Sequence, residues 1–422
     1  MAVASKKKPN VFKALRALAV LISVPLLVQF LVSRWSHSSP GEQTTVTTQS
    51  NGPQVPSASS ETNVTLWELL RADARVSRFA DVIGELPDIV RGLSAPKAKF
   101  TVYAPVNEAF DSFYFPPDPP PFFGLFLAGY HMGPGFLPAD RLASVGTVSS
   151  FVNGDIFFDY KQRISVQHNP DGTTTFNHDA DYIPPPDGAA LVAANGPLHY
   201  IGGVLGLPNS TAHAVRTLPQ LSSLERALRQ TEMAERVYDT NAHISQTIFA
   251  PSNAAFDRLG KTAKKFLFTR AGRPYLEAIL RFHVVENQTL FSDMYWPHGG
   301  AELLDLHVLE ESEKEFNLPT LQRSRNITVQ SHKVHGQWKL RVFLGAADTS
   351  DGGVDVSVSD ILTMDGVVHL VDSLLLPPRS SSSPEEKSWL SGLFHGFGQG
   401  KENIESLIDR LEPYIVDTEA VS

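Results

Sequence analysis

Fourteen histidines and 45 carboxylates in a chain of 422 residues without a single cysteine define the chemistry on offer. Lacking thiols, the chain can build neither a disulfide framework nor a thiolate metal site, and it has no cysteine nucleophile. Hydrolysis would call for a nucleophile, a base and a group that orients the base, or for a metal with an open position. The sequence carries no Gly-x-Ser-x-Gly elbow, no His-Glu-x-x-His, no phosphate-cradling glycine loop and no dinucleotide fingerprint. His178, Asp179 and Asp181 have the donor types of a metal site, but no fourth ligand stands at a defined spacing, and a solvated strand end is expected. Asp348-Thr-Ser-Asp-Gly-Gly-Val-Asp355 lacks the alternate oxygen ligands and closing glutamate of an EF-hand loop, and reads as a turn. No catalytic residue, metal ligand or cofactor is assigned, and the chain is expected not to be an enzyme.

Four of the histidines recur in a fixed order. His131 and His283 each follow an aromatic residue, in Tyr130-His131 and Phe282-His283; His199 and His369 close Gly-x-x-His strands that begin at Gly196 and Gly366. Their spacing assigns them to hydrogen bonding near a core. The elements that position them recur as well. Phe100-Thr-Val-Tyr-Ala-Pro-Val-Asn-Glu-Ala-Phe110 returns as Gln246-Thr-Ile-Phe-Ala-Pro-Ser-Asn-Ala-Ala-Phe256. Each copy reads as an apolar strand ended by a proline, Pro105 or Pro251, with an asparagine, Asn107 or Asn253, placed to cap a new helix. Upstream, capping boxes are expected at Thr65 with Glu68 and at Ser222 with Glu225, opening helices over 66–86 and 223–238. The recurrence of these landmarks implies two homologous domains.

These residues resemble the fasciclin-type domain, an α/β module of adhesion and matrix proteins, over about 62–208 and 214–378. The family's first motif is similar to Thr-Val-Phe-Ala-Pro-Thr-Asn-x-Ala-Phe and its second to Asn-Gly-x-x-His-x-Ile-Asp-x-Val-Leu. The chain departs from these at Gly202-Gly203 and at Phe282. The resemblance implies an α+β fold of two tandem domains, each a small β-sandwich or wedge with packed helices, preceded by an N-terminal hydrophobic helix. It also implies a weak partner-binding role for Tyr130 and His131, because the Tyr-His region of animal members is linked with integrin-dependent adhesion.

The net charge of −9 argues against nucleic acid as a partner. Residues 1–35 combine Lys6, Lys7, Lys8, Lys13 and Arg16 with an uncharged run, Ala17 to Val32, and read as a signal anchor or signal peptide. As a helix that run spans roughly 24 Å, a little short of a ~30 Å hydrocarbon core. Ser33-Arg34-Trp35 is a poor cleavage site, so an uncleaved anchor with a cytosolic N-terminus is expected. Residues 36–62 form a disordered Ser/Thr/Pro stalk. Domain 1 is expected over 63–208, a linker over 209–216, domain 2 over 217–378, and a linker with an amphipathic tail over 379–422. Sequons stand at Asn63, Asn209, Asn287 and Asn326, on the side that the charge rule places in the secretory lumen.

Between Phe113 and Phe126 five prolines interrupt a run of phenylalanines, and their density excludes a helix there. This stretch, with Phe122 and Phe123, is either an exposed docking loop or one whose rings fold back on their own domain. The function the fasciclin resemblance implies is non-enzymatic adhesion or interaction with protein or glycan partners, in a vacuolar or other endomembrane lumen or at the cell surface. A vacuolar trafficking or membrane-fusion factor, and a hydrolase or small-ligand carrier on the same fold, are the alternatives.

Overall fold

The computed structural model describes residues 64–120, 122–152, 162–186, 188–240, 243, 245–297, 304–306, 312–345, 353–378 and 404–415. The N-terminal hydrophobic segment, the stalk, Asn63 and the stretch around Trp389 lie outside them. Among the described residues no helix is long and apolar enough to cross a membrane.

The first repeat runs α1 (Leu66–Ala72), α2 (Ser77–Gly84), α3 (Pro87–Leu93), β1 (Phe100–Pro105), α4 (Phe123–Tyr130), β2 (Met132–Pro134), α5 (Ala139–Leu142), β3 (Thr147–Ser149), β4 (Arg163–His168), β5 (Thr174–Phe176), β6 (Ala180–Ile183), β7 (Val192–Ala193) and β8 (Gly196–Ile201). In the second, helices α6 (Thr211–Thr217), α7 (Ser222–Gln230) and α8 (Met233–Tyr238) precede β9 (Gln246–Pro251). Then come α9 (Asn253–Arg258), α10 (Lys261–Leu267), α11 (Arg273–Phe282), β10 (Val284–Glu286), β11 (Thr289–Leu290), β12 (Met294–Trp296) and β13 (Leu304–Asp305). The long strands β14 (Glu313–Pro319), β15 (Asn326–Val334), β16 (Gln337–Leu344), β17 (Val354–Thr363) and β18 (Gly366–Val371) follow, and α12 (Ile404–Leu411) comes last.

Each repeat is built on the same pair of parallel strands. β1 pairs with β8, and β9 with β18. Gly196 and Gly366 open the second strand of each pair with φ of +154° and +149°. A Cβ there would lie 1.8 Å from the Phe100 carbonyl oxygen or 2.0 Å from that of Gln246, so the close approach of two backbones requires glycine. Around β9 and β18 grows a seven-stranded sheet, β10-β9-β18-β17-β16-β15-β14, and the helices cover its core.

The chain divides into two compact units. One holds the described residues up to Ala139 together with those of Ile183–Val204; the other holds the described residues of Asp140–Tyr182 and those from Leu205 onward. The β3–β6 segment of the first repeat therefore packs in the second unit, with β4 beside β17.

Several sequence expectations need correction. The 66–86 helix is broken at Asp73, which is extended and whose Oδ1 accepts from the Arg75 N–H at 3.0 Å. The 223–238 helix breaks at Glu232, where φ is +61°. The capping box at Thr65 and Glu68 is present, whereas Ser222 is already helical, with Leu221 before it as an N-cap that has no side-chain bond. Glu225 pairs instead with Arg229. The counterpart of Thr65 is Ser210, whose hydroxyl caps α6.

Neither asparagine caps the helix that follows it. Ser252 caps α9, and the turn at Asn107–Phe110 has no side-chain cap. Asn253 reaches back: its Oδ1 accepts from Ser223 N–H at 2.8 Å and its Nδ2 donates to Pro219 O at 3.0 Å. Asn107 does the same with Arg78 N–H, at 3.0 Å, and Ala74 O, at 2.7 Å. The side-chain amide supplies, on two separate atoms, both the acceptor and the donor that this bridge to the preceding helix uses. The proline-rich stretch also ends sooner than expected, since α4 starts at Phe123.

Candidate functional site

The recurring histidines are structural in both units. His131 and His283 donate from Nδ1 to the carbonyls of Leu127 and Ile279, four residues back, each at 2.8 Å. His283 Nε2 accepts from Leu375 N–H at 3.1 Å. His199 and His369 donate from Nε2 to Leu137 O at 2.8 Å and to Leu290 O at 2.7 Å, and each stacks on the aromatic ring of the neighbouring strand, Tyr103 or Phe249. Burial lowers the pKa of His131, His283 and His369 to about 4 and also depresses that of His199. Tyr130 is buried as completely as His131, so this pair sits in the core and offers no side chain at the surface.

Beside each glycine that opens β8 and β18 stands an anchor. Asn195 Oδ1 accepts from Leu66 N–H at 2.7 Å while its Nδ2 donates to Leu93 O at 2.8 Å. In the second repeat a carboxylate replaces the amide: Asp365 Oδ1 accepts from Thr211 N–H at 2.8 Å and from its hydroxyl at 2.9 Å. A carboxylate cannot donate, and Gln246 Nε2 supplies the missing bond, to Val237 O at 3.0 Å. Burial works against ionisation of Asp365, yet the buried His243 ring 3.8 Å away and the Thr211 bonds outweigh it and hold the pKa low.

The second unit also buries two carboxylates that no sequence motif marked. Asp293 accepts from Gly146 N–H at 2.8 Å, Thr147 N–H at 2.7 Å and the Thr147 hydroxyl at 2.5 Å, clasping the start of β3. Arg163 Nε donates to the same Thr147 hydroxyl at 2.7 Å, which brings a buried cation into the network. Asp360 lies in the irregular part of β17 with φ of +59°, its N–H donating to His369 Nδ1 at 3.1 Å and its Oδ1 accepting from Ser292 N–H at 2.8 Å. Burial, and then the nearby Asp293 charge, push the Asp360 carboxyl up to about 7. A carboxylate in a bulged strand has no periodic signature, which is why the sequence did not reveal it.

Among the described residues no three His, Asp or Glu side chains converge on a point a metal ion could fill. His178 faces the Asp360 carbonyl, with Asp179 and Asp181 beside it in the chain; the Asp348–Asp355 turn lies largely outside the described residues.

Two surface features remain. In the first repeat Phe115 stacks on Phe110 and meets Phe113 and Phe123 edge to face, while Phe122 packs edge to face on Phe126. The phenylalanines thus fold back on their own domain, leaving Phe122 and Phe123 half-buried; Tyr114, 77 % exposed, and Phe115 face outward. In the second unit a polar cleft of about 720 Å³ is lined by Glu315, Asn317, Arg323, Arg325 and Asn326. Asn209, Asn287 and Asn326 are all exposed, whereas the threonines that complete their sequons, Thr211, Thr289 and Thr328, are buried.

This repeated strand–glycine–histidine architecture defines a fasciclin-domain protein, and the chain belongs to that family: the model of the fasciclin domain matches residues 219–377. It is 57 % identical over 414 residues to the aurofusarin biosynthesis cluster protein S of Gibberella zeae, covering 97 % of this chain and 99 % of that one. It is also 23 % identical over 192 residues to the fasciclin-like arabinogalactan protein elcF of Phaeosphaeria nodorum, covering 43 % of this chain and 47 % of that one. A solved FAS1 domain pair from the insect cell adhesion molecule fasciclin I matches 72 % of this chain and 97 % of its own, at 17 % identity and a TM-score of 0.37.

Proposed function

We propose that this is a non-enzymatic interaction protein of the secretory lumen or cell surface, binding protein or glycan partners through its fasciclin domains. The observation that carries this reading is the fate of the repeat histidines. Each recurring ring is buried with a nitrogen on a backbone carbonyl, so the residues that look most like chemistry hold the fold together, while Tyr114 and Phe115 are offered to solvent. Residues 1–35 act as an uncleaved anchor, and the exposed sequon asparagines carry glycans. Tagging the C-terminus in the native cells tests the topology: an endoglycosidase-sensitive, protease-protected or surface signal is expected, and a cytosolic, endoglycosidase-insensitive one refutes it. For the loop, retention of the protein on its partner cells should fall when Tyr114 and Phe115 are both changed to serine.

The relative named for a biosynthesis cluster favours a second reading: the interaction serves the enzymes of a small-molecule pathway exported to, or finished in, the same compartment. Deleting the gene should then leave a late intermediate accumulating, and normal product levels in the deletion strain would exclude it.

A further inference from the structure

Between Asp111 and Asp140 the chain carries no Lys, Arg or Glu and a single Asp, Asp118, although 19 % of all its residues are charged. That neutral stretch reaches the surface. Tyr114, 77 % exposed, and Phe115 face solvent, and the start of α4 adds Phe122, Phe123 and Phe126, each half-buried. Phe115 joins the two parts into one patch, its ring 4.9 Å from that of Phe113 and 6.1 Å from that of Phe123 between centroids. The backbone is equally poor in donors, since from Pro116 to Pro121 only Asp118 has an N–H. The patch belongs to the repeat nearer the N-terminal hydrophobic run. The first helix begins at Leu66, and residues 36–62, as a flexible chain, span a root-mean-square ~30 Å.

We propose that this aromatic-proline patch is a wedge that beds into the surface of the bilayer holding the chain's own anchor, with neutral phospholipid as its ligand. The proposal rests on the anchored, lumenal reading above and names what Tyr114 and Phe115 meet; a seated wedge fixes how the first repeat is presented to partner cells, so the retention loss expected of the double serine variant follows from lost orientation. A protein partner would be read through roughly one hydrogen bond per 100–200 Å² of interface, and a glycan through its hydroxyls. This patch offers little beyond the Tyr114 hydroxyl and Asp118, whereas lipid asks for no such pairing. An N–H carried out of water without a partner is costly, so a loop whose prolines have none enters the interface cheaply, with aromatic rings suited to that depth. The tether supplies the rest. A patch held within its reach of the bilayer meets it at roughly millimolar effective concentration, and a weak affinity then suffices. Because Asp118 is its sole charge, the wedge gains nothing from anionic lipid, and its attachment is independent of salt.

The absence of cysteine makes the test direct, since Tyr114→Cys introduces a single thiol for an environment-sensitive fluorophore. The full chain is reconstituted in phosphatidylcholine vesicles, with and without phosphatidylcholine that carries a nitroxide on its acyl chain. The label at position 114 should shift its emission to the blue and lose intensity to the nitroxide, and both effects should persist at about 1 M salt, where the Debye length is about 3 Å. A label introduced by Lys261→Cys, at an exposed site in the second repeat, should show neither. Pro117 and Pro119 are exposed, so P117D/P119D should leave the melting temperature unchanged while abolishing the quenching at 114. Emission at 114 that stays as in water refutes the wedge, and quenching that salt removes shows an electrostatic contact instead. A blue shift without nitroxide quenching means that another part of the chain covers the patch; shielding on partner cells but not on plain vesicles means a protein groove for the prolines. Either outcome overturns the proposal. Carbonate extraction reports the anchor separately: a chain that resists it with an unquenched label refutes the wedge alone, and one that washes off although the label was quenched refutes the anchor alone.

Discussion

Single buried side chains set how this protein responds to pH, and they do so in opposite directions. His131, His283 and His369 have folded pKa values of about 4, below the ordinary 6.5. As pH falls below 6.5 the unfolded chain takes up protons that the native rings refuse; the stabilisation is complete above 6.5 and is lost progressively towards 4, by about 1.4 kcal/mol per pH unit for each ring. Thermal melts between pH 7.5 and 4 should show a steep acid fall, shallower in His369→Asn. Asp360 behaves oppositely. Its folded pKa near 7 exceeds the ordinary 3.8, so its protonated form favours folding at low pH and this contribution disappears as pH rises through 7. Asp360→Asn keeps an amide that tolerates positive φ, and should raise the melting temperature at pH 8 while changing it little at pH 5. The histidines were visible in the sequence because they recur; Asp360 was not, because what makes it unusual is a bulge and a neighbouring carboxylate 67 residues away in the chain.

At the scale of elements, the repeated helices depend on back-reaching amides. Asn253→Ala removes an acceptor from the start of α7 and a donor to Pro219, and should cost about 1–2 kcal/mol in chemical denaturation, with Asn253→Asp intermediate because it keeps the acceptor alone. Gly366→Ala would press a methyl group onto the Gln246 carbonyl and should cost more than about 4 kcal/mol. The sequence revealed the strands and their proline ends, since apolar runs and proline act locally. It misassigned the helix starts, because Ser222-x-x-Glu225 satisfies a local pattern while the real cap, Ser210, is fixed by the long-range Thr211–Asp365 bond. The same limit explains why the expected long helices are each broken. Periodicity survives a break at Asp73 or Glu232, and only tertiary packing decides where the axis turns.

On the scale of the whole molecule, the repeat that was legible as two copies folds as units of unequal extent, because Asp140–Tyr182 joins the second. That attachment rests partly on one carboxylate. Asp293→Ala would orphan two buried N–H groups and remove the acceptor of the Thr147 hydroxyl, at a cost of about 2–4 kcal/mol. Limited proteolysis should then cut within 140–182 while the second-repeat core resists. The arrangement also shapes how the polypeptide is born. Thr147 leaves the ribosome well before Asp293 is synthesised, and roughly two hundred residues before Asp360; at ~5–20 residues per second the nascent strands wait on the order of 10–40 s for their permanent neighbours. Through that interval the segment can rely on its own β3–β4, β4–β5 and β5–β6 pairings, and aggregation competes with completion of the fold.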